Sequence, residues 1–325
     1  MSFFATLIAL LLEQAKPLSR DNPVYAAVRA WVQWISRNLD AGQQRHGWLA
    51  WCVAVLLPTA LSLGMHWLLV WLVGWPLAMV WHVLVLYVTL GFRQFSHHFT
   101  RIRDALESGD EEQARQYLAQ WQQVDANDLP RSEIVRHVIE YSVLAAHRHV
   151  FGVLACYSIG SAIGLGPAGA VFYRMAEYVS RFARKPAVEG EQLQGAFHQV
   201  ASRAWAAVDW LPARLTALSF AVVGNFEEAI DGWRFQTQHF PNDNDGVILA
   251  ATAGAIDIRL GGTALRARSA DIDGNDAALL QGDGSTTPGR DPETAHLRSV
   301  VGLVWRSVVV WLLLLALLTL ARLLG

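Results

Sequence analysis

Charge is scarce in this 325-residue sequence, where Asp, Glu, Lys and Arg together make up only 17%, against roughly 25% in an ordinary soluble domain. Lysine is nearly missing: Lys16 and Lys185 are its only instances among 26 basic residues, and the net charge is −2. No basic tract is present, so the electrostatic footprint of a nucleic-acid binder is lacking. Cysteine is limited to Cys52 and Cys156, both inside apolar runs. Two such thiols define neither a disulfide framework nor a metal site, and they read as small core hydrophobes. No internal repeat is evident.

Apolar residues are what the chain has in abundance, at 53% with a mean hydropathy of +0.25. Val300 to Leu324 is long enough to cross the ~30 Å hydrocarbon core as a helix of about 20 residues. Arg306 and Arg322 lie near its ends, where their heads snorkel to the interface. Trp48 to Phe92 is apolar for too long to be one helix and is punctuated by Pro58, Gly64 and Gly74-Trp75-Pro76, which predicts two spans with a tight turn near Gly74. Six Trp in this region, Trp48, Trp51, Trp67, Trp71, Trp75 and Trp81, suit aromatic belts and lipid-facing packing. Ser2 to Leu12 is apolar but short, with no basic residue before it and no small-residue cleavage site after it. It is therefore expected to be a retained N-terminal helix rather than a signal peptide.

Between the apolar regions, Arg93 to Arg148 predicts a helical block outside the bilayer. In TRIRDALESGDEEQARQYLAQW, Gly109 ends one helix and Asp110 caps the next, with Glu111 and Glu112 in the first turn and Gln113 completing a capping box. Pro130 breaks the chain, and Ser132 is expected to cap the helix that runs from Glu133 toward Ala146. Gly262 to Thr294 is rich in Gly, Asp and Ser, as a flexible linker would be. The organisation expected is a membrane domain over 1–261 that includes the 93–148 block, a linker over 262–296 and a transmembrane helix over 297–325.

Basic residues lie on both sides of 150–173: the 93–148 block on one, Arg174, Arg181, Arg184 and Lys185 on the other. One crossing between two basic loops violates the positive-inside rule, so this region is expected to enter and return. Gly160, Gly164, Gly166, Pro167 and Gly169 supply the break. GLGPAG matches GxGxxG literally, yet no βαβ unit surrounds it, and close helix packing through Gly160 and Gly164 reads better than a dinucleotide site.

In DWLPARLTALSFAVVGN, Pro212 is placed at the first position of a helix, with Asp209 just outside it and Arg214 at the third. An Arg in a first turn opposes the helix dipole. Free N–H groups beside an Arg fork make an anion site for phosphate or carboxylate, with Asp209 orienting the Arg or holding a metal-phosphate. The alternative is an Asp209–Arg214 ion pair that only fixes the entry of the helix. Further polar candidates at the apolar regions are Glu140, His147, His149, Tyr173 and Arg174. A His-x-His pair without another Cys or carboxylate at ligand spacing is a weak metal signal, and His97-His98 point in different directions, so no metal site is assigned.

DWLPARLTAL resembles the WIPARLTAL motif of the CobD/CbiB family of cobalamin-biosynthesis membrane proteins. Residues 23–35, NPVYAAVRAWVQW, resemble that family's HPV motif, and 93–140 its cytoplasmic block, through Arg93, His97, the ALESGDEEQAR hairpin, Asp125 and Ile139-Glu140. GPAGAVFYR resembles its PGALxYK, and NDNDGVILAATAGAIDIRLGG its small-residue segment ending in RLGG. The resemblance implies an ATP-dependent amide ligation joining an aminopropanol-phosphate amine to a carboxyl of adenosylcobyric acid, with ATP and Mg2+ as cofactors. It also implies a corrinoid or other amphipathic, phosphate-bearing ligand and membrane lipid as partners.

Several polar positions differ from the family pattern. AAHRHVFG stands where the family carries ENTVDG, Arg174 replaces the Lys of YK, and DNDG replaces SPNAG without its following Glu. HRHVFGVL, GPAGAVFYR and WLPARLTALSFAVVGN also resemble the AmpE-like inner-membrane proteins associated with β-lactamase regulation. The fold expected is all-α and polytopic, with four or five membrane segments in a bacterial inner membrane and a cytoplasmic helical hairpin. The sites expected are Asp209 and Glu140 as catalytic groups, with Arg214, Arg174 and Tyr173 binding substrate or anion. The rival expectation is a non-catalytic AmpE-like regulator. A transporter built on broken helices lacks a second, matching broken segment.

Overall fold

The computed structural model describes residues 2–16, 18, 22–39, 43–122, 125–126, 129–183, 196–262 and 285–324. Among them every regular element is a helix and β structure is limited to isolated bridges, so the dinucleotide-fold reading of GLGPAG has no sheet to rest on. The helices are α1 Ser2–Ala15, α2 Pro23–Leu39, α3 Gln44–Leu72, α4 Trp75–Thr89, α5 Phe92–Glu107, α6 Glu111–Gln122 and α7 Arg131–Ala146. They continue with α8 Gly152–Ala162, α9 Ala168–Ala183, α10 Ala196–Val208, α11 Trp210–Val223, α12 Phe226–Gln236, α13 Asp243–Ile256 and α14 Thr294–Leu324.

The protein is a polytopic, all-α membrane protein. Among the described residues, Gln44–Leu72, Arg131–Ala162 and Thr294–Ala321 are long and apolar enough to cross a membrane, and Ala196–Val208 with Trp210–Val223 makes a fourth if that broken pair is one span. The 131–162 helix is continuous because a π turn, His147–Phe151, joins α7 to α8. Such turns insert an extra residue into the i→i−4 ladder and recur at functional positions.

Two compact units result. The first holds Met1–Gly91, Arg148–Pro212 and Leu314–Gly325, and the second Phe92–His147 and Ala213–Leu313. In the first, the tight turn expected between two spans is present, Gly74 having φ +92, a conformation L side chains rarely adopt, but of the two helices only α3 is long enough to cross, α4 being a shorter apolar helix of 15 residues. Pro58 lies inside α3 without ending it. Trp67, Trp71 and Trp75 are exposed, as lipid-facing residues should be, but Trp51 is buried against Phe172 and is a core residue. α8 and α9 return along one another through a turn that includes Gly164, φ +85. Their contact is backbone to backbone. A Cβ on Gly169 would lie 2.1 Å from the Cys156 carbonyl oxygen, and Gly160 packs against Gly169 as close helix packing requires, whereas Gly164 lies in the turn and a Cβ there would meet nothing within 4 Å. Small residues permit this approach where lipid offers no hydrophobic drive to helix association.

In the second unit, α5 and α6 form the expected hairpin: Gly109 has φ +83, and Gln113 N–H donates to Asp110 Oδ1 at 2.9 Å. The next helix begins earlier than read, at Arg131 with Pro130 as its N-cap, so Ser132 is a helical residue and not the cap. His98 stacks flat on Trp121, a packing role. The expected linker 262–296 is only partly described, residues 263–284 lying outside the described set. Its end is anchored: Leu260 N–H donates to Thr287 Oγ1 at 2.9 Å and Gly262 N–H to the Ser285 carbonyl at 2.8 Å. α14 then starts at Thr294, and within it Arg306 donates to the Gly302 carbonyl. Arg184, Lys185 and the Arg322 side chain also lie outside the described residues.

Candidate functional site

The expected site residues fall into two groups, one in each unit. In the first unit Asp209 occupies the break between α10 and α11. α11 begins at Trp210, so Pro212 is its third residue and Arg214 its fifth, each two positions later than the sequence suggested. Pro212 still costs no hydrogen bond there, because the first four N–H groups of a helix have no intrahelical acceptor. Asp209 is fully buried, and Tyr173 of α9, also fully buried, donates its hydroxyl to Asp209 Oδ1 at 2.8 Å.

Gly152, the first residue of α8, makes room for that pair. A Cβ there would stand 2.1 Å from the Tyr173 hydroxyl, so only glycine admits the phenol. Trp205 covers the ring from α10, with centroids 5.2 Å apart. Arg174, the next residue on α9, turns elsewhere: it donates to Glu177 Oε2 at 3.1 Å, and Arg181 shares that carboxylate at 3.3 Å. Tyr173 and Asp209 are thus brought together, and Arg174 belongs to a separate ion-pair cluster.

In the second unit Arg214 Nη1 donates to Asn244 Oδ1 at 3.0 Å. Asn244 is the second residue of α13 and is buried. Its place is set by Asn242, the N-cap, whose side chain accepts the Asn244 N–H at 3.3 Å and donates to Asp245 at 3.0 Å. The guanidinium is therefore oriented by a neutral amide at a helix start. Two residues along α11, Thr216 meets His147 Nδ1 at 2.9 Å, and both side chains are buried. The π turn begins with this histidine, where the sequence departs from the ENTVDG pattern.

Glu140, also in the second unit, belongs to a charged knot on α7. Arg136, almost wholly excluded from solvent, reaches Glu140 at 3.0 Å on one side and Glu133 on the other, and donates to His137 Nε2 at 2.9 Å. Glu140 Oε1 also accepts the Gly261 N–H at 2.8 Å, which ties the RLGG segment to α7. Glu140 therefore has a satisfied structural environment: a buried guanidinium and a backbone donor.

Sequence reading missed Asn244, Thr216, Gly152, Arg136 and Gly261 as partners. Asn244 had a visible signal, an Asx-rich run before an apolar segment, which marks a helix start. Gly261 sat in the RLGG run. Gly152 carried none, because its need arises only from α9 lying across it.

A family model described as CobD/Cbib protein matches residues 3–279. The chain is 29% identical over 327 residues to the cobalamin biosynthesis protein CobD of Stutzerimonas stutzeri (strain A1501), covering 97% of each chain. It is 31% identical over 184 residues to the CobD of Chromobacterium violaceum, covering 56% of this chain and 55% of that one. The CobD of Leptospira interrogans serovar Lai (strain 56601) is 27% identical over 268 residues, with 80% and 81% covered. No solved structure matches.

Proposed function

The chain belongs to the CobD/CbiB family, and on that footing we propose that it acts in cobalamin biosynthesis at the bacterial inner membrane, as a ligase joining the amine of an aminopropanol phosphate to a corrinoid side-chain carboxyl. The observation that carries this reading is Arg214 held by Asn244 at the start of α13. A guanidinium of fixed orientation is suited to bidentate capture of a phosphate, and the helix start adds N–H groups and a positive dipole end.

ATP and Mg2+ fit this neighbourhood by donor type. Among the described residues no set of three or more His, Cys, Asp or Glu forms a cage for an ion, but Mg2+ in nucleotide sites relies on one or two carboxylates plus the phosphates themselves. Asp243 and Asp245 in the first turn of α13 supply carboxylates of that kind. Bound there, ATP-Mg2+ would activate the carboxyl for amide formation. The chain's own contributions are Arg214 as anion clamp and Asn244 as its orienter. The buried Tyr173–Asp209 pair fixes the break from which α11 departs.

The second reading, a non-catalytic AmpE-like regulator, draws on the π turn, where His147 pairs with Thr216 in place of the acid-amide motif. Growth separates the two. A host deleted for its own CobD/CbiB enzyme and carrying this gene should grow on cobyric acid, and Arg214→Ala and Asn244→Ala should each abolish that growth. Absence of growth with the protein present in the membrane would overturn the ligase and leave the regulator.

A further inference from the structure

The first unit contains a polar cluster that the proposed reaction does not use. It lies among α1, α3, α4 and α8, which are otherwise apolar. His82 of α4 is buried, and its Nδ1 meets the hydroxyl of the fully buried Tyr157 of α8 at 2.9 Å. Its Nε2 faces His66 Nδ1 of α3 at 3.3 Å. Tyr157 is in turn within hydrogen-bond reach of Ser2 and Ser161, whose hydroxyls are 2.8 Å apart. Ionisable side chains at membrane depth are costly and mark functional positions by default.

We propose that His66 and His82 form a binding site for a divalent transition-metal ion of the Zn2+ type. Three observations converge. Two imidazole nitrogens, each ~2.0–2.1 Å from a tetrahedral ion, stand about 3.3 Å apart, the separation found here between His82 Nε2 and His66 Nδ1. The second nitrogen of His82 is held by a hydroxyl, the outer contact that orients metal-ligating histidines. The α8–α9 turn also packs against the His66 ring, since a Cβ on Gly166 would lie 2.6 Å from it.

Proton bookkeeping allows the exchange without ionising any group. With Tyr157 donating to His82 Nδ1, the His82 proton sits on Nε2 and points at His66. When the ion takes its place, that proton moves to Nδ1 and is donated to the Tyr157 oxygen, whose own hydrogen turns to Ser161. Imidazole suits Zn2+, Cu2+ and Ni2+. With two protein ligands, water completes the coordination, so the ion is exchangeable rather than structural.

The experiment uses the full chain in detergent, purified without a polyhistidine tag, stripped with a chelator and titrated with Zn2+ against a chromophoric competitor. One equivalent should bind, with affinity at least about tenfold lower in His66→Ala and His82→Ala, and ~10–100-fold lower in Tyr157→Phe, which keeps both ligands but loses the outer contact. His66 is only half-buried, so its variant reports binding even if His82→Ala fails to fold. Binding in His66→Ala equal to wild type, or none in wild type, would overturn the proposal.

Discussion

Tyr173 and Asp209, 36 positions apart, meet through a 2.8 Å hydrogen bond with both side chains shut off from solvent. Deleting the hydroxyl removes a donor from a buried acid, a loss of about 1–3 kcal/mol. Tyr173→Phe and Asp209→Asn should each lower thermal stability in detergent. In the double variant the losses should fall short of additivity by ~0.5–3 kcal/mol, the coupling expected of a direct contact. Strict additivity would show that the bond contributes nothing.

Gly152 should be as sensitive as the pair it accommodates. Gly152→Ala puts a methyl where the Tyr173 hydroxyl sits, and overpacking of this kind costs about 1–3 kcal/mol. Gly64, where a Cβ would meet nothing within 4 Å, is the matched control. Gly64→Ala should leave the melting temperature unchanged or slightly raised, and equal sensitivity at both positions would refute the packing account.

The charged knot on α7 makes a larger prediction. Arg136 is buried between Glu133 and Glu140, and removing one partner of a buried pair costs about 3–5 kcal/mol. Glu140→Ala should therefore depress folding yield and stability more than Glu140→Gln, whose amide oxygen still accepts from Arg136 and from the Gly261 N–H. If the two variants unfold alike, size and hydrogen bonding at Glu140 are irrelevant and charge alone matters.

A fourth contact should matter little. Trp311 Nε1 donates to Ser219 Oγ at 2.9 Å between α14 and α11. Interhelical bonds of this type in membranes average about 0.6 kcal/mol. Ser219→Ala should shift the unfolding midpoint by at most a degree or two, and a loss comparable with that of Glu140→Ala would contradict the ranking.

Much of the fold was legible because the signals are local. The Gly74 turn, the Gly109–Asp110 cap and the long apolar run at 300–324 follow from residue type and spacing. Boundaries that depend on neighbours were read less well: Pro130 rather than Ser132 caps α7, and α11 starts two residues before Pro212. At the site, Asp209, Tyr173 and Arg214 were visible as polar residues at the edge of apolar segments. Their partners were not, since Asn244 reaches Arg214 across 30 positions and Glu140 receives Gly261 across 121. Trp51 was read as lipid-facing because periodicity cannot say which face of an all-apolar helix is inward.

The seam between α8 and α9 has a mechanical meaning. With Gly169 so close to the Cys156 carbonyl that a Cβ there would lie 2.1 Å from its oxygen, sliding one helix along the other by a turn would bring Phe172 or Tyr173, the next residues on that face, to a place with room only for hydrogen. The hairpin is therefore keyed: it can separate as a whole or hold as a whole, but it has no intermediate register. Motion in this part of the protein must go through its turns, because the helices that flank them cannot slip.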